Sequence, residues 1–154
     1  MTRQRSDTVN GAVTAMQNAL AGPIEPPSHV RLRDGDRPFW ESIVSARARD
    51  KWDDADLEVA ANLARCKADI ERLSVEILAE GDVITNERGT PIVNPKHNLL
   101  ETLSRRAVAL SRMLHVHPEA KAGRSQDQGN KLKEQRKAEE TVGRKGSLIA
   151  MPSR

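Results

Sequence analysis

The chain has little with which to build an aromatic core. Of its 154 residues only Phe39, Trp40 and Trp52 are aromatic, and tyrosine is absent. Aromatic side chains bury the most surface per residue. A monomeric core here must therefore rest on Leu, Ile, Val and many Ala, which is thin for this length and favours self-association. Cysteine is almost missing as well: Cys66 stands alone, which excludes an intrachain disulfide and points to a reducing compartment. No stretch approaches the roughly 20 consecutive apolar residues of a membrane helix, and the first residues, "MTRQRSDTVNGAV", lack the apolar run of a secretion signal. The expectation is a soluble cytoplasmic protein with no membrane contact.

Signatures of catalysis are missing too. The glycines never gather into a phosphate-binding G-x-x-x-x-G-K loop, and no serine or cysteine has a supporting base. His115 and His117 form an H-x-H pair with His97 further upstream, but no carboxylate or thiol cluster joins them. They fit better as helix-terminal residues that interact with the helix dipole. Asp53, Asp54, Asp56 and Glu58 fall in the first turns of a long helix, where the same dipole favours negative charge. Neither an enzyme, a cofactor nor a metal is expected.

What the chain does have is charge and helical period. Charged residues make up 31% of it, with a formal net charge of only +3. Residues 7–21 set Val9, Ala12, Val13, Met16 and Leu20 on one helical stripe, stopped by Gly22-Pro23. A Pro-rich extended stretch follows. A second helix opens near Asp36, a candidate N-cap, with Pro38 in the first turn. From 54 to 80 there is no Pro or Gly, Asp53 can cap the start, and Gly81 suits the position after the last turn. Within it Val59, Leu63, Cys66, Ile70, Leu73 and Ile77 are spaced 4, 3, 4, 3, 4, a heptad seam. From Asn94-Pro95 to about His115, Leu100, Leu103, Ala107, Leu110 and Leu114 repeat at 3, 4, 3, 4. Two such seams joined by a short connection should fold back as an antiparallel pair. Leu57, Ala60, Ala64, Leu78, Leu99 and Met113 lie off the seams and call for further partners.

Four regions result: a 1–35 N-terminal arm with a short helix; a 36–66 helix-turn-helix-like region; 54–117 central oligomerisation helices carrying a β-hairpin at 82–93; and a 118–154 flexible basic tail with an apolar end. In the tail, basic residues outnumber acidic ones eight to five between 119 and 147, and little there can bury a core. The closing "SLIAMP" is either a docking segment beyond a tether or a frayed end.

Arg31, Arg33, Arg37, Arg47, Arg49 and Lys51 surround the second helix. They are either DNA contacts of a helix-turn-helix-like unit or solvated surface charges. Four acids at the start of the following helix would repel phosphates, so the Arg47–Lys51 corner and the Arg31–Arg37 arm are the expected contacts. On charge alone one reading is a dimeric helix-turn-helix transcriptional regulator.

In order along the chain, "EPPSHV", "RPFWESIVSARARDKWDDADLEVAANLA", a helix ending at Gly81, "RGTPIVNP", a Leu-rich helix and the closing "SLIAMP" resemble the small terminase subunit of tailed bacteriophages, in the group that packages from cohesive ends. The resemblance spans most of 6–115 and the extreme C-terminus. It implies a non-enzymatic, mainly α protein that forms rings of eight to eleven copies in the host cytoplasm. It further implies binding to the packaging-initiation (cos) site on double-stranded viral DNA, and recruitment and regulation of the large terminase ATPase-nuclease; the portal is a further candidate contact. Leu148, Ile149 and Met151 are the guess for the segment that docks on the large subunit.

The stretch "GDVITNERGTPIVNP", 81–95, reads as two short β-runs around a turn at 86–89, with Pro91 favouring an edge position. An isolated hairpin is marginal in water. Either neighbours in a ring pair or pack on it, or it is a plain helix connector.

Overall fold

The computed structural model describes residues 9–117 and 126–149. They form helices α1 (Val9–Leu20), α2 (Arg37–Val44), α3 (Asp54–Glu80), α4 (Lys96–Met113) and α5 (Gln126–Ile149), with strands β1 (Val83–Thr85) and β2 (Pro91–Val93) between α3 and α4. The protein is thus mainly helical with one small antiparallel sheet.

α3 begins and ends where its sequence dictates. The Asp53 carboxylate accepts a hydrogen bond from the Asp56 amide at 2.7 Å and caps the first turn. Gly81, at φ +88, leaves the helix through a conformation that a side chain would strain. Over the distal half, Leu73 and Ile77 bury the seam against α4; nearer the start, Leu63 and Cys66 do the same. The Cys66 thiol donates to the Leu103 carbonyl at 3.1 Å, and burial pushes its pKa up, so it acts as a packing residue. α3 and α4 therefore form the expected helical hairpin.

The other side of α3 meets α2. Trp40, Ile43 and Val44 pack with Leu57, Ala60, Ala61, Leu63 and Ala64, and Leu114 at the end of α4 closes the cluster. The off-seam Leu57, Ala60 and Ala64 are thus covered within the chain. The alanines allow close approach and leave room for Trp40, whose indole N–H donates to the Ile24 carbonyl at 3.0 Å and fastens the N-terminal connection. α2 ends at Val44, and residues 45–53 separate it from α3. Trp52 takes up the Val44 carbonyl at the end of α2, and Arg49–Lys51 form a single 3-10 turn.

The tip of the helical hairpin is a two-stranded antiparallel ladder pairing Val83 with Val93, Ile84 with Ile92 and Thr85 with Pro91. The Asn86 amide bonds the Thr90 carbonyl and the Asn94 amide bonds the Asp82 carbonyl. By the alternation of antiparallel pairs, Pro91 then falls at an outward position where no N–H is needed. Buried Asn94 anchors the base: its amide donates to Glu80 and to the Gly81 carbonyl, while its oxygen accepts from the Lys96 amide at 3.1 Å.

One expectation is corrected. Residues 126–149, expected within a flexible tail, form α5, which packs on α1. The mean apolar content is low, but Leu132, Gln135, Ala138 and Val142 recur at helical spacing and are half-buried, and the Lys, Glu, Gln and Ala between them are good helix formers. α1 packs through a face other than its apolar stripe. Val13, Met16 and Leu20 are exposed, and Ala15 is the buried position, with Gly11, Thr14, Asn18 and Ala19 half-buried around it.

Candidate nucleic-acid interface and assembly face

The six basic residues singled out by charge take two different structural roles. Arg33 is tied down at both ends. Its backbone N–H and its guanidinium both donate to Asp36, the latter at 2.7 Å, and the guanidinium also reaches Asp69 on α3 at 2.9 Å. Asp36 is fully buried, so instead of capping α2 with its side chain it turns back into the Arg33 fork. Burial pushes its pKa up, but the Arg33 hydrogen bonds outweigh that and hold it below the usual carboxylate range.

Arg47 is also committed. Its side chain is only 12% exposed, lying 4.5 Å over the Trp52 ring. It donates to the Leu114 carbonyl, pairs with Asp56 at 2.9 Å, and donates to the Lys51 carbonyl. It joins the end of α4 to the start of α3.

The remaining four point their charge outward or toward weak partners. Arg31 is exposed, and its guanidinium meets no partner among the described residues; its carbonyl accepts from Arg65. Arg37 is exposed and lies 3.8 Å from the exposed Glu25. Lys51 is 3.4 Å from Asp50. Arg49 is half-buried, its guanidinium on the Gly22 carbonyl at 2.8 Å and its amide on Gln135 of α5 at 2.9 Å. Of the six, Arg33 fastens to α3 at Asp69 and Arg47 at Asp56, points about 20 Å apart by the helical rise.

Charge counting missed two contributors. Arg65 clasps the Arg31 carbonyl and Asn62, holding the arm along α3. Glu58 meets His29 from the same arm at 2.9 Å. Their signal in the sequence is faint, because each bonds a residue about thirty positions away. Connection length also matters: residues 45–53 exceed the about three or four residues of a helix-turn-helix turn.

A second candidate surface is apolar. Val75 and Leu78 on α3, Leu99, Val108 and Met113 on α4, and Val83 and Val93 on the hairpin are all exposed, Leu78 by 86%. Val75, Leu78, Leu99, Val83 and Val93 fall on the distal half of the helical hairpin, toward the β-strands, whereas Val108 and Met113 lie on the second half of α4, toward Leu114 and α2; exposed apolar groups of this kind mark a candidate interaction surface. Among the described residues, no group of three or more His, Cys, Asp or Glu side chains is arranged to hold a metal, and no helix is long and apolar enough to cross a membrane.

A family model, the Hendrixvirinae small terminase family, matches residues 1–154. The chain belongs to this family. The terminase small subunit of Enterobacteria phage HK97 is 33% identical over 154 residues, spanning 97% of this chain and 96% of that protein. The chain is thus a small terminase subunit, with a role in phage DNA packaging, and its class is generally non-catalytic. Of the candidate docking residues, Leu148 and Ile149 fall in the last turn of α5, and Met151 lies outside the described residues.

Proposed function

We propose that this small terminase subunit binds the packaging-initiation (cos) site of viral DNA in the host cytoplasm and recruits and regulates the large terminase ATPase-nuclease. The observation that supports the DNA assignment is the set of cations held loosely or not at all by acids: Arg31 and Arg49 pair with no acid among the described residues, and Arg37 and Lys51 lie 3.8 and 3.4 Å from Glu25 and Asp50, in contrast to the close pairs of Arg33 and Arg47. A lone copy of such a patch binds weakly. Rings of eight to eleven copies, joined through the exposed apolar surface of α3, α4 and the hairpin, multiply it by avidity. The C-terminal end, through Leu148, Ile149 and Met151, is the proposed docking segment for the large subunit, and the portal is a further candidate contact.

Gel shifts with phage-end DNA against random duplex, repeated at rising salt, test the central claim. Preference for end DNA that survives moderate salt supports site recognition, since nonspecific phosphate binding weakens steeply with salt. Equal binding to both duplexes removes it. Native mass spectrometry reads the copy number in the same sample.

A further inference from the structure

We infer that α5 is an autoinhibitory cover over the Arg49 corner, a reading that rests on the DNA-binding role proposed for Arg49. α5 crosses from α1 to this corner. The Gln135 oxygen accepts the Arg49 amide at 2.9 Å, and the Arg49 guanidinium is turned onto the Gly22 carbonyl at 2.8 Å. Between them lies a cleft of about 180 Å³ lined by Gly22, Ile24, Val44, Arg49, Gln135 and Glu139. A carboxylate on α5 thus shares a cleft with the cation, where an approaching phosphate would meet it as a like charge. With α5 in place, Arg49 is half-buried.

The contact is built to release. On α1 the face toward α5 is small and polar: Gly11, Thr14, Asn18 and Ala19 are half-buried and only Ala15 is buried. On α5 the matching Leu132, Gln135, Ala138 and Val142 are also only half-buried. Among the described positions, little apolar area is lost when these faces part. α1 itself ends at Gly22, φ +74, followed by Pro23, which separates it from the arm held to α3. Undocking α5 therefore frees the Arg49 amide and removes Glu139 while the core of α2, α3 and α4 stays intact.

The test pairs two readouts on the full chain: hydrogen exchange at the Arg49 amide, and binding of a phage-end duplex by fluorescence anisotropy at fixed salt. Gln135→Ala changes no charge. It should speed exchange at Arg49 and tighten duplex binding about fivefold, the factor expected when one neutral hydrogen bond stops favouring the closed state. The pair Leu132→Ser with Val142→Ser should do both more strongly. Unchanged exchange in both variants overturns the docking. Faster exchange with unchanged affinity, in a protein whose Arg49→Ala variant binds less well, overturns the cover while leaving the DNA role standing. Weaker binding makes α5 part of the contact surface and also overturns the cover. If neither the wild type nor any variant binds the duplex, the DNA role itself fails and the cover with it.

Discussion

Replacing Arg47 by Ala separates the two roles that a basic residue at this corner could have. The guanidinium stacks on Trp52, donates to the backbone of Leu114 and Lys51, and pairs with Asp56. Loss of the cation–π stack removes about 1 kcal/mol. Two carbonyl acceptors losing a charged donor cost a further ~1.5 kcal/mol, since the site is largely shielded. Asp56 is 32% exposed and can rehydrate, so its lost pairing adds only about 0.5 kcal/mol. The expected loss is about 3 kcal/mol, read in urea at one fixed protein concentration so that assembly does not shift the midpoint. With an m-value near ~2 kcal/mol/M, the midpoint falls by about 1.5 M. Arg47→Lys keeps the charge but not the planar fork or the stack, and should still lose about 2 kcal/mol. Arg31→Ala, on an exposed side chain with no described partner, should leave the midpoint within about 0.5 kcal/mol. The reasoning fails if Arg47→Ala unfolds like the wild type yet loses duplex binding, because Arg47 would then be a phosphate contact and its internal bonds incidental.

Three further outcomes follow from other parts of the fold. Asn94→Ala should lower stability by about 2 kcal/mol, since the buried amide and oxygen join Glu80, Gly81 and Lys96 at the hairpin base; urea midpoints and hairpin amide exchange measure it. The depressed pKa of Asp36 contributes stability that is full above the unfolded carboxylate value near ~3.9 and is lost as pH falls through the lower folded value. Asp36→Asn should therefore flatten the fall in thermal midpoint between about pH 4 and pH 2, without abolishing it, because Glu76 and Glu80 beside Lys96 are depressed too. Leu78→Asp alters an 86% exposed side chain, so it should leave the helical signal unchanged while reducing the assembled mass seen by light scattering; an unchanged mass would remove Leu78 from the assembly face.

Much of this was legible in the residues. Asp53 and Gly81 bracket α3 because capping and left-handed geometry are local properties. The two heptad seams meet because the 3-and-4 spacing holds through both helices. The hairpin followed from Gly89, Pro91 and the short β-runs. α5 was not legible from composition, since helix propensity and a narrow stripe at Leu132, Gln135, Ala138 and Val142 do not show in an average over a charged segment. α1 packs by a face that its apolar stripe does not announce. A stripe of Val and Met suggests burial, whereas a small-residue face permits the closer helix approach and won the contact. For the basic residues, charge did not reveal which of them are tied up inside the fold. Asp36 and Asp69 absorb Arg33, and Trp52, Leu114 and Asp56 absorb Arg47. Those pairings are tertiary, and no spacing rule announces a partner 67 positions away, as Leu114 is from Arg47.

That division bears on how a duplex could approach. The start of α3 carries Asp53, Asp54 and Asp56, so an end-on insertion of this helix into a groove would bring acids to phosphates. Arg47 neutralises Asp56, and the Asp53 carboxylate is occupied by a backbone amide, but Asp54 stays exposed. The proposed approach is therefore along the flank of α3, across Arg31 and Arg37 on one side and Arg49 and Lys51 on the other. Each group alone offers too few phosphate contacts for tight binding. In the proposed assembly, repetition across copies would supply the rest, which would make the exposed apolar groups of α3, α4 and the hairpin as important to DNA affinity as the arginines themselves.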